Sequence, residues 1–285
     1  MKKLSIIIVH YQVAHLLRNC LHSIEEYLQN IDYEVIVIDN CSPDASWKNL
    51  ISEFPKVVFI SSTCNDGFAK ANNKAVHIAQ GEYILLLNPD TEIEGAYFEE
   101  ILNFADAQKK MGCLGLRMHD AKGNFLPESK RSVPNLINSF EKLFLPFFSR
   151  KSKKKNYYRN DISETEIAEI EVITGAFLLI KKQVYLEVGG LDERYFMYGE
   201  DVDLCYTLLR KSYKNFYYGK YAILHYKGES TVKDEIYLKR FYGAMQIFLD
   251  KYYKQQNPLK YYILKKGLEL KYRWALRKTT NDLNI

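Results

Sequence analysis

The chain predicts an α/β fold, with a mostly parallel central sheet, helices on both faces, and further helices at the C-terminus. Three observations carry this. Short apolar runs alternate with amphipathic segments through the first 118 residues. Those runs are rich in Ile, Val and Leu without polar alternation, as strands covered on both faces are. Beyond residue 231 the pattern changes to two longer amphipathic stretches, split by Asn257-Pro258.

LSIIIV (4–9) is the first strand. Residues 15–29 then place Leu16, Leu17, Cys20, Leu21, Ile24, Tyr27 and Leu28 on one helical face. YEVIVID (33–39) is the second strand, SPDAS (42–46) a turn and helix start, and VVFISS (57–62) the third strand. Residues 68–79 form a helix closed by Gly81, before a fourth strand, YILLLN (83–88). A helix near 95–110 and a strand at CLGLRM (113–118) follow. HDAKGNFL (119–126) reads as a hairpin turn, and 150–171, first basic and then acidic, as a mobile loop. Order resumes at VITGAFLLIKK (172–182), a helix from Glu200 to Lys211, a short strand ILHY (223–226), and helices near 234–254 and 258–278. This predicts a main domain over 1–231, with halves at 1–118 and 119–231, and a basic helical extension over 232–285. No internal repeat is evident.

With 47% hydrophobic and 26% charged residues in 285, the composition is that of a soluble globular protein with a sizeable core. Five scattered cysteines without CxxC spacing argue against a disulfide framework or a zinc site, and for a reducing compartment. The first apolar run, Leu4 to Val9, is short for a secretory leader, and no run approaches the ~18 apolar residues of a membrane span. The expectation is a cytoplasmic protein. Residues 251–278 carry nine Lys or Arg against one acid, Glu269, and a second basic run lies at 150–155. Such patches attract polyanions, including anionic lipid and diphosphates. Charge alone is unspecific, so nucleic acid is not an expected partner. The 23 tyrosines supply apolar area with a polar tip, which suits sugar, base or membrane-interface contacts.

Neither common phosphate-binding fingerprint is present. The loop after the first strand is HYQVAH rather than GxGxxG, and GxxxxGK[ST] does not occur. Instead, Asp39 ends the second strand and Asp90 follows the fourth at Asn88-Pro89. The carboxyl ends of parallel strands are where such sheets bind ligands. Acids there accept hydrogen bonds from a base or ribose, or hold a hard divalent cation. The plain alternative is that Asn, Pro and Asp simply end a strand in a turn.

Six segments now point to one family: SIIIVHYQ (5–12), VIDNCSPD (37–44), NDGFAKANNKA (65–75), GEYILLLNPDT (81–91), TGAFLLIKKQVYLEVGGLDERYFMYGEDVDLC (174–205) and LHYKGEST (224–231). In order and content they resemble family 2 glycosyltransferases of the GT-A fold, in a rhamnosyltransferase-like bacterial branch. Two departures are Gln12, where the family has Asn, and Lys70, where it has a smaller residue.

The resemblance implies inverting transfer of a sugar from a nucleotide-diphosphate donor to an acceptor hydroxyl. It implies that NPD is a variant of the family's DXD motif, with Asp90 on Mg²⁺ or Mn²⁺ and Asn88 toward the ribose or sugar. His225, in ILHYKGES, matches the family's C-terminal histidine and is a second metal or phosphate contact; Lys227 and Ser230 are looser phosphate candidates. Gly199-Glu200-Asp201 resembles the ED motif, so Asp201 is the expected general base and Glu200 its reserve. Acids also favour a helix N-terminus for electrostatic reasons alone. Tyr11, Gln12 and Asp39 would surround base and ribose, and Asn65, Gly67, Phe68 and Asn72 match the donor-side loop.

The acceptor expected is a glycan or lipid-linked sugar at the inner face of the cell membrane. Apolar residues beside cations in KYYILKKGLELKYRWALRK (260–278) suit an anionic bilayer surface, and FEKLFLPFF (140–148) offers a second foothold. Two other readings use the same fold. A sugar-1-phosphate nucleotidyltransferase needs a Gly-rich loop after the first strand, which HYQVAHLLR lacks. A non-catalytic membrane-surface subunit would have no need of Asp39, Asp90 and Asp201.

Overall fold

The computed structural model describes residues 2–133, 157–228 and 234–282. Strands β1 (Leu4–His10), β2 (Tyr33–Asp39), β3 (Val58–Ser61) and β4 (Tyr83–Leu87) are mutually parallel in the order β3-β2-β1-β4. The sheet continues through β8 (Phe177–Lys181), β6 (Met111–His119), β9 (Lys214–His225) and β5 (Thr91–Ile93), while β7 (Ile167–Ile170) pairs with β9. Here β6 and β9 are parallel and the other pairs antiparallel.

Both faces of the sheet are buried, as the apolar runs require. Along β1, Leu4, Ile6 and Ile8 enter one core and Ile7 and Val9 the other. The first core is closed by α1 (Ala14–Tyr27), through Leu17, Cys20, Leu21 and Ile24, and by α4 (Phe98–Ala107), through Phe98, Ile101, Leu102 and Ala105. The short α2 (Asn49–Glu53) adds Leu50. The second core takes Ala69, Ala71, Ala75 and Val76 of α3 (Phe68–Ile78), Val184 and Tyr185 of α5 (Lys182–Glu187), and Val202, Leu204, Cys205 and Leu208 of α6 (Glu200–Arg210). Successive side chains of a strand point to opposite faces, so this division follows from the pleat.

The C-terminal helices are α7 (Glu235–Tyr252) and α8 (Pro258–Asp282). Helix α7 is tied to the body by Asp203, which accepts from Tyr252 Oη at 2.8 Å and Lys251 Nζ at 2.7 Å. The domain boundary expected at 231/232 lies outside the described residues, as do 140–148, 150–155 and Ser230.

Two expectations are corrected. The mobile loop over 150–171 contains, in its described part, strand β7. Its four residues, IAEI, are too short to show a period and gain their ladder from β9. The short strand at 223–226 is the end of a 12-residue β9. Gly219 and two lysines interrupt its apolar pattern, and a register shift against β6 falls between Leu116 and Arg117. Order resumes at 172 as expected, with Val172 bridged to Arg131 and β8 beginning at Phe177 after the Thr174-Gly175 loop. The turn over 119–126 is present, with Asp120 Oδ1 accepting the Lys122 and Asn124 N–H groups.

Candidate active site

The site is set by which strand ends share an edge. Parallel pairing aligns His10 with Asp39 in the last row of β1 and β2, and Ile8 with Leu87 at the end of β4. Strand β8 runs the other way beside β4, with Phe177 opposite Leu87, so its beginning lies at that edge. The Asn88 N–H donates to the Ala176 carbonyl at 3.0 Å, continuing the pairing one step beyond the strands.

Asp201 reaches this edge from the first turn of α6. Tyr198 (φ 71°) and Gly199 (φ 84°) turn the chain into that helix. A left-handed tyrosine is costly, and such strain concentrates at functional sites. Asp201 Oδ2 accepts from Arg131 Nη2 at 2.6 Å and from the Gly175 N–H at 3.1 Å, one residue before Ala176. Its Oδ1 accepts the Val202 N–H at 2.7 Å. Arg131 also donates to the Ile173 carbonyl at 2.8 Å and is held by two backbone bonds to Val172. Arg131 carries no sequence signal, since the segment KRSVP matches no motif and its partner lies 70 positions away.

Glu200 is buried, and its Oε2 has no hydrogen-bond partner among the described residues. Burial foremost, and the neighbouring Asp201 charge second, push its carboxyl well above the usual glutamate range. Adjacent acids therefore have different environments. Asp201 is an ion-paired carboxylate at the edge, whereas Glu200 is held toward its neutral form beneath it.

Asp90 and His225 meet because Thr91 of β5 pairs with His225 of β9, and the Tyr226 N–H donates to the Asp90 carbonyl at 2.9 Å. His225 Nε2 lies 3.4 Å from Asp90 Oδ1, both side chains being largely buried. Ligands at about 2.1 Å around an octahedral cation sit roughly 3 Å apart, so the pair can share one ion. His225 Nδ1 has no hydrogen-bond partner among the described residues. Among the described residues no three such ligands cluster, and the remaining coordination would fall to substrate oxygens and water. The residues fit a substrate-completed Mg²⁺ or Mn²⁺ site.

The loops expected to hold the nucleotide are stitched together at the same edge. Gln12 stands at φ 58° and its N–H donates to Ser42 Oγ at 3.0 Å. Asparagine tolerates this left-handed conformation better, which gives a physical reason for the family's Asn there. Tyr11 is exposed beside it. Asp39 is buried and both its oxygens face the Ser42 N–H, at 3.3 and 3.2 Å, so it holds the turn. His10 Nε2 lies 3.9 Å from it, and burial outweighs that charge and lowers the histidine pKa.

Asn65 Oδ1 accepts from Asn40 Nδ2 at 2.9 Å and from the Gly67 N–H at 3.1 Å. Asn72 donates to the Phe68 carbonyl within α3, and its buried Oδ1 has no partner among the described residues. Lys70 and Lys74 both bind Asp66. Gly67 (φ 81°) is sterically required, since a Cβ would overlap the Phe196 carbonyl, which accepts the Phe68 N–H at 2.7 Å. Phe68 and Asp201 both approach Gly175, which joins the donor-side loop to the ED segment.

A family model described as Glycosyl transferase family 2 matches residues 5–185. The chain belongs to glycosyltransferase family 2. This glycosyltransferase is 28% identical over 229 residues to N-acetylglucosaminyl-diphospho-decaprenol L-rhamnosyltransferase of Mycobacterium tuberculosis, across 75% of the chain and 74% of the relative. It is 25% identical over 215 residues to rhamnosyltransferase WbbL of Escherichia coli, across 71% and 78%. Two solved structures, at 16% identity, share its GT-A fold. One is GalNAc-T7 with UDP, GalNAc and Mn²⁺, at TM-score 0.60; the chain spans 57% of it, with 99% of its own length covered. The other is a Pyrobaculum calidifontis mannosyltransferase with GDP-Man and Mn²⁺, at TM-score 0.59, covering 99% of this chain and 74% of that one.

The elevated Glu200 pKa makes a signed prediction. Below the ordinary glutamate pKa, folded and unfolded chains both hold the proton and nothing is lost. Above it the unfolded chain releases the proton first, so this residue lowers stability as pH rises through the folded-state pKa. Glu200→Gln is expected to melt above wild type at about pH 8.5, with the gain vanishing near pH 4. Calorimetric melts across that range check it.

Proposed function

We propose that the chain is a metal-dependent inverting glycosyltransferase that extends a lipid-diphosphate-linked saccharide at a membrane surface. One observation carries the reading: Asp201 is tied to the start of β8, at the edge where the Asp90–His225 pair closes the end of β4. The rhamnosyltransferase names of the two curated relatives support a deoxyhexose as the sugar, and the diphospho-decaprenol in one of them supports the acceptor class.

Asp201 takes the acceptor proton as that oxygen bonds the anomeric carbon, and the nucleoside diphosphate leaves from the opposite face. Among the described residues Oδ1 accepts only the adjacent Val202 N–H, so it keeps capacity for a substrate hydroxyl. Arg131 and the Gly175 N–H fix the carboxylate's orientation through Oδ2. Asp90 and His225 would hold the cation, which when bound neutralises charge on the leaving diphosphate. Tyr11 is exposed to stack on the base, and Gln12, Asn65 and Asn88 sit around the same edge. Asp39 supports this wall from beneath.

The membrane part of the reading rests on α8. Tyr261, Leu268 and Tyr272 turn toward α7, with Tyr261 Oη on Asp250 at 2.7 Å and the Tyr242 and Tyr272 rings 5.3 Å apart. Leu259, Ile263, Leu270 and Trp274 recur on the opposite side at helical spacing, and Leu259 and Trp274 are 74% and 65% exposed. Arg273 and Arg277 interleave with this stripe. An apolar stripe set among cations suits the headgroup boundary of an anionic bilayer. No helix among the described residues is long and apolar enough to cross a membrane.

Asp201→Asn is expected to lower transfer about 10²–10⁴-fold while leaving nucleoside-diphosphate binding intact. Asp90→Ala is expected to abolish Mn²⁺-dependent binding. Sugar-transfer rates check the first, and thermal melts with UDP, TDP or GDP, in Mn²⁺ or in EDTA, check nucleotide binding by both variants. A nucleotide at a hundred times its Kd adds about 2.7 kcal/mol and raises Tm by several degrees. Stabilisation indifferent to metal would contradict the Asp90 role. In vesicle sedimentation, the wild type is expected to favour phosphatidylglycerol over phosphatidylcholine, and Leu270→Ser/Trp274→Ser to lose binding. Equal binding to both lipids would contradict the membrane role.

A further inference from the structure

An apolar groove lies between the 194–199 loop and α7, apart from the nucleotide-side loops. Phe196 and Met197 line it from the loop side, and Ala244 and Ile247 from the helix side. Ile236, Arg240, Ala244 and Ile247 fall at helical spacing on one face of α7, so the groove follows the helix axis. Between them sits Gly243, where an added Cβ would meet nothing within 4 Å. The groove is open space beside a residue without a side chain.

Its rim is cationic. The Arg240 guanidinium stands 4.2 Å from the centroid of the Phe196 ring, and Lys239 flanks it. Among the described residues neither Lys239 nor Arg240 has a carboxylate partner, whereas Arg194, the third cation of the rim, is held by Asp192. Among the described residues, Lys239 and Arg240 are therefore positive charge without a carboxylate at the mouth of an apolar trough.

The groove also adjoins the reacting centre. Phe196 lines it and at the same time receives the Phe68 N–H and covers Gly67, so the donor-side loop is its neighbour. The loop continues through Tyr198 and Gly199 directly into Glu200 and Asp201. A Cβ at Gly199 would touch Ala244 at 3.4 Å, which puts the ED turn against the groove wall.

We infer that this groove is the acceptor subsite, with Phe196, Met197, Ala244 and Ile247 seating the first prenyl units of a polyprenyl diphosphate and Lys239 and Arg240 binding its diphosphate. The inference rests on the sugar-transfer reading and gives its acceptor a place. An apolar chain bearing two phosphates matches both the lining and the unpaired cations. The saccharide beyond the diphosphate then points to Asp201.

Equilibrium dialysis of the full chain against farnesyl diphosphate, farnesol and inorganic diphosphate tests this. EDTA is present throughout, so that metal-mediated binding at Asp90 and His225 does not contribute. The wild type is expected to bind farnesyl diphosphate at least tenfold more tightly than either fragment. Gly243→Leu fills the trough and improves helix propensity, so it is expected to fold with an unchanged or higher Tm and to bind at least tenfold more weakly. Lys239→Ser/Arg240→Ser is expected to weaken farnesyl diphosphate by a similar factor and to leave farnesol unaffected. No binding by the wild type, or equal binding by a folded Gly243→Leu variant, would overturn the inference. Mn²⁺-dependent nucleoside-diphosphate binding, measured on the same proteins, is expected to be unchanged in both variants. Its absence from the wild type would instead count against sugar transfer and leave the groove result standing.

Discussion

The site depends on one strand returning against the grain of its neighbours. Strand β8 lies antiparallel beside β4, with Leu87 opposite Phe177 and the Asn88 N–H on the Ala176 carbonyl. In an all-parallel sheet the chain would leave β8 at this edge and arrive at the other. Here it arrives at the carboxyl edge, and Gly175, the residue before Ala176, presents its N–H to Asp201. The Asp201 carboxylate, contributed by the second half of the chain, thereby reaches the strand end that carries Asp90. A one-residue slip of β8 would move Gly175 and turn Leu178 and Leu179 to the wrong cores.

Around this constraint the polar groups fall into distinct roles. Asp203 joins Lys251 and Tyr252 and fixes α7, while Asp201, two residues earlier and on another side of the helix, meets Arg131. Glu200 is buried between these duties and kept toward its neutral form. The acidic first turn of α6 is therefore more than an electrostatic complement to the helix, because its three acids meet an arginine at the strand edge, an apolar interior and a helix clamp. Strained backbone marks the same region: Gln12 and Cys41 follow β1 and β2, and Tyr198 precedes α6, all with positive φ.

Much of this was legible in the sequence. The four parallel strands were, because β1 and β4 are buried along their length and read as near-continuous apolar runs, and β2 and the edge strand β3 keep enough Val, Ile and Phe to be read beside them. So were NPD and the ED pair, whose residue types suit the chemistry of a strand end and a helix start. Strands β5 and β7 were not, because three or four residues carry no period and their ladders come from β9, more than 40 positions away. Most of β9 was hidden by Gly219, which is tolerated because the 164–166 backbone approaches too closely for a side chain. Arg131 was invisible for a similar reason: nothing local distinguishes a lysine-arginine pair that pins a part-buried edge carboxylate from one that faces solvent. Asp39 was legible as a strand-end acid, while the backbone N–H it holds is evident only once the turn at Ser42 is formed.

Pairing register and the turn into α6 thus bring Asp90, His225, Asp201 and the 65–68 loop to one edge. The most direct test is anomalous diffraction from crystals grown with Mn²⁺ and whichever of UDP, TDP or GDP binds. The account predicts a manganese peak between Asp90 and His225, with the diphosphate on the same side of the sheet as the Asp201 carboxylate. Manganese bound elsewhere, or a nucleotide on a face from which Asp201 is shielded, would contradict it.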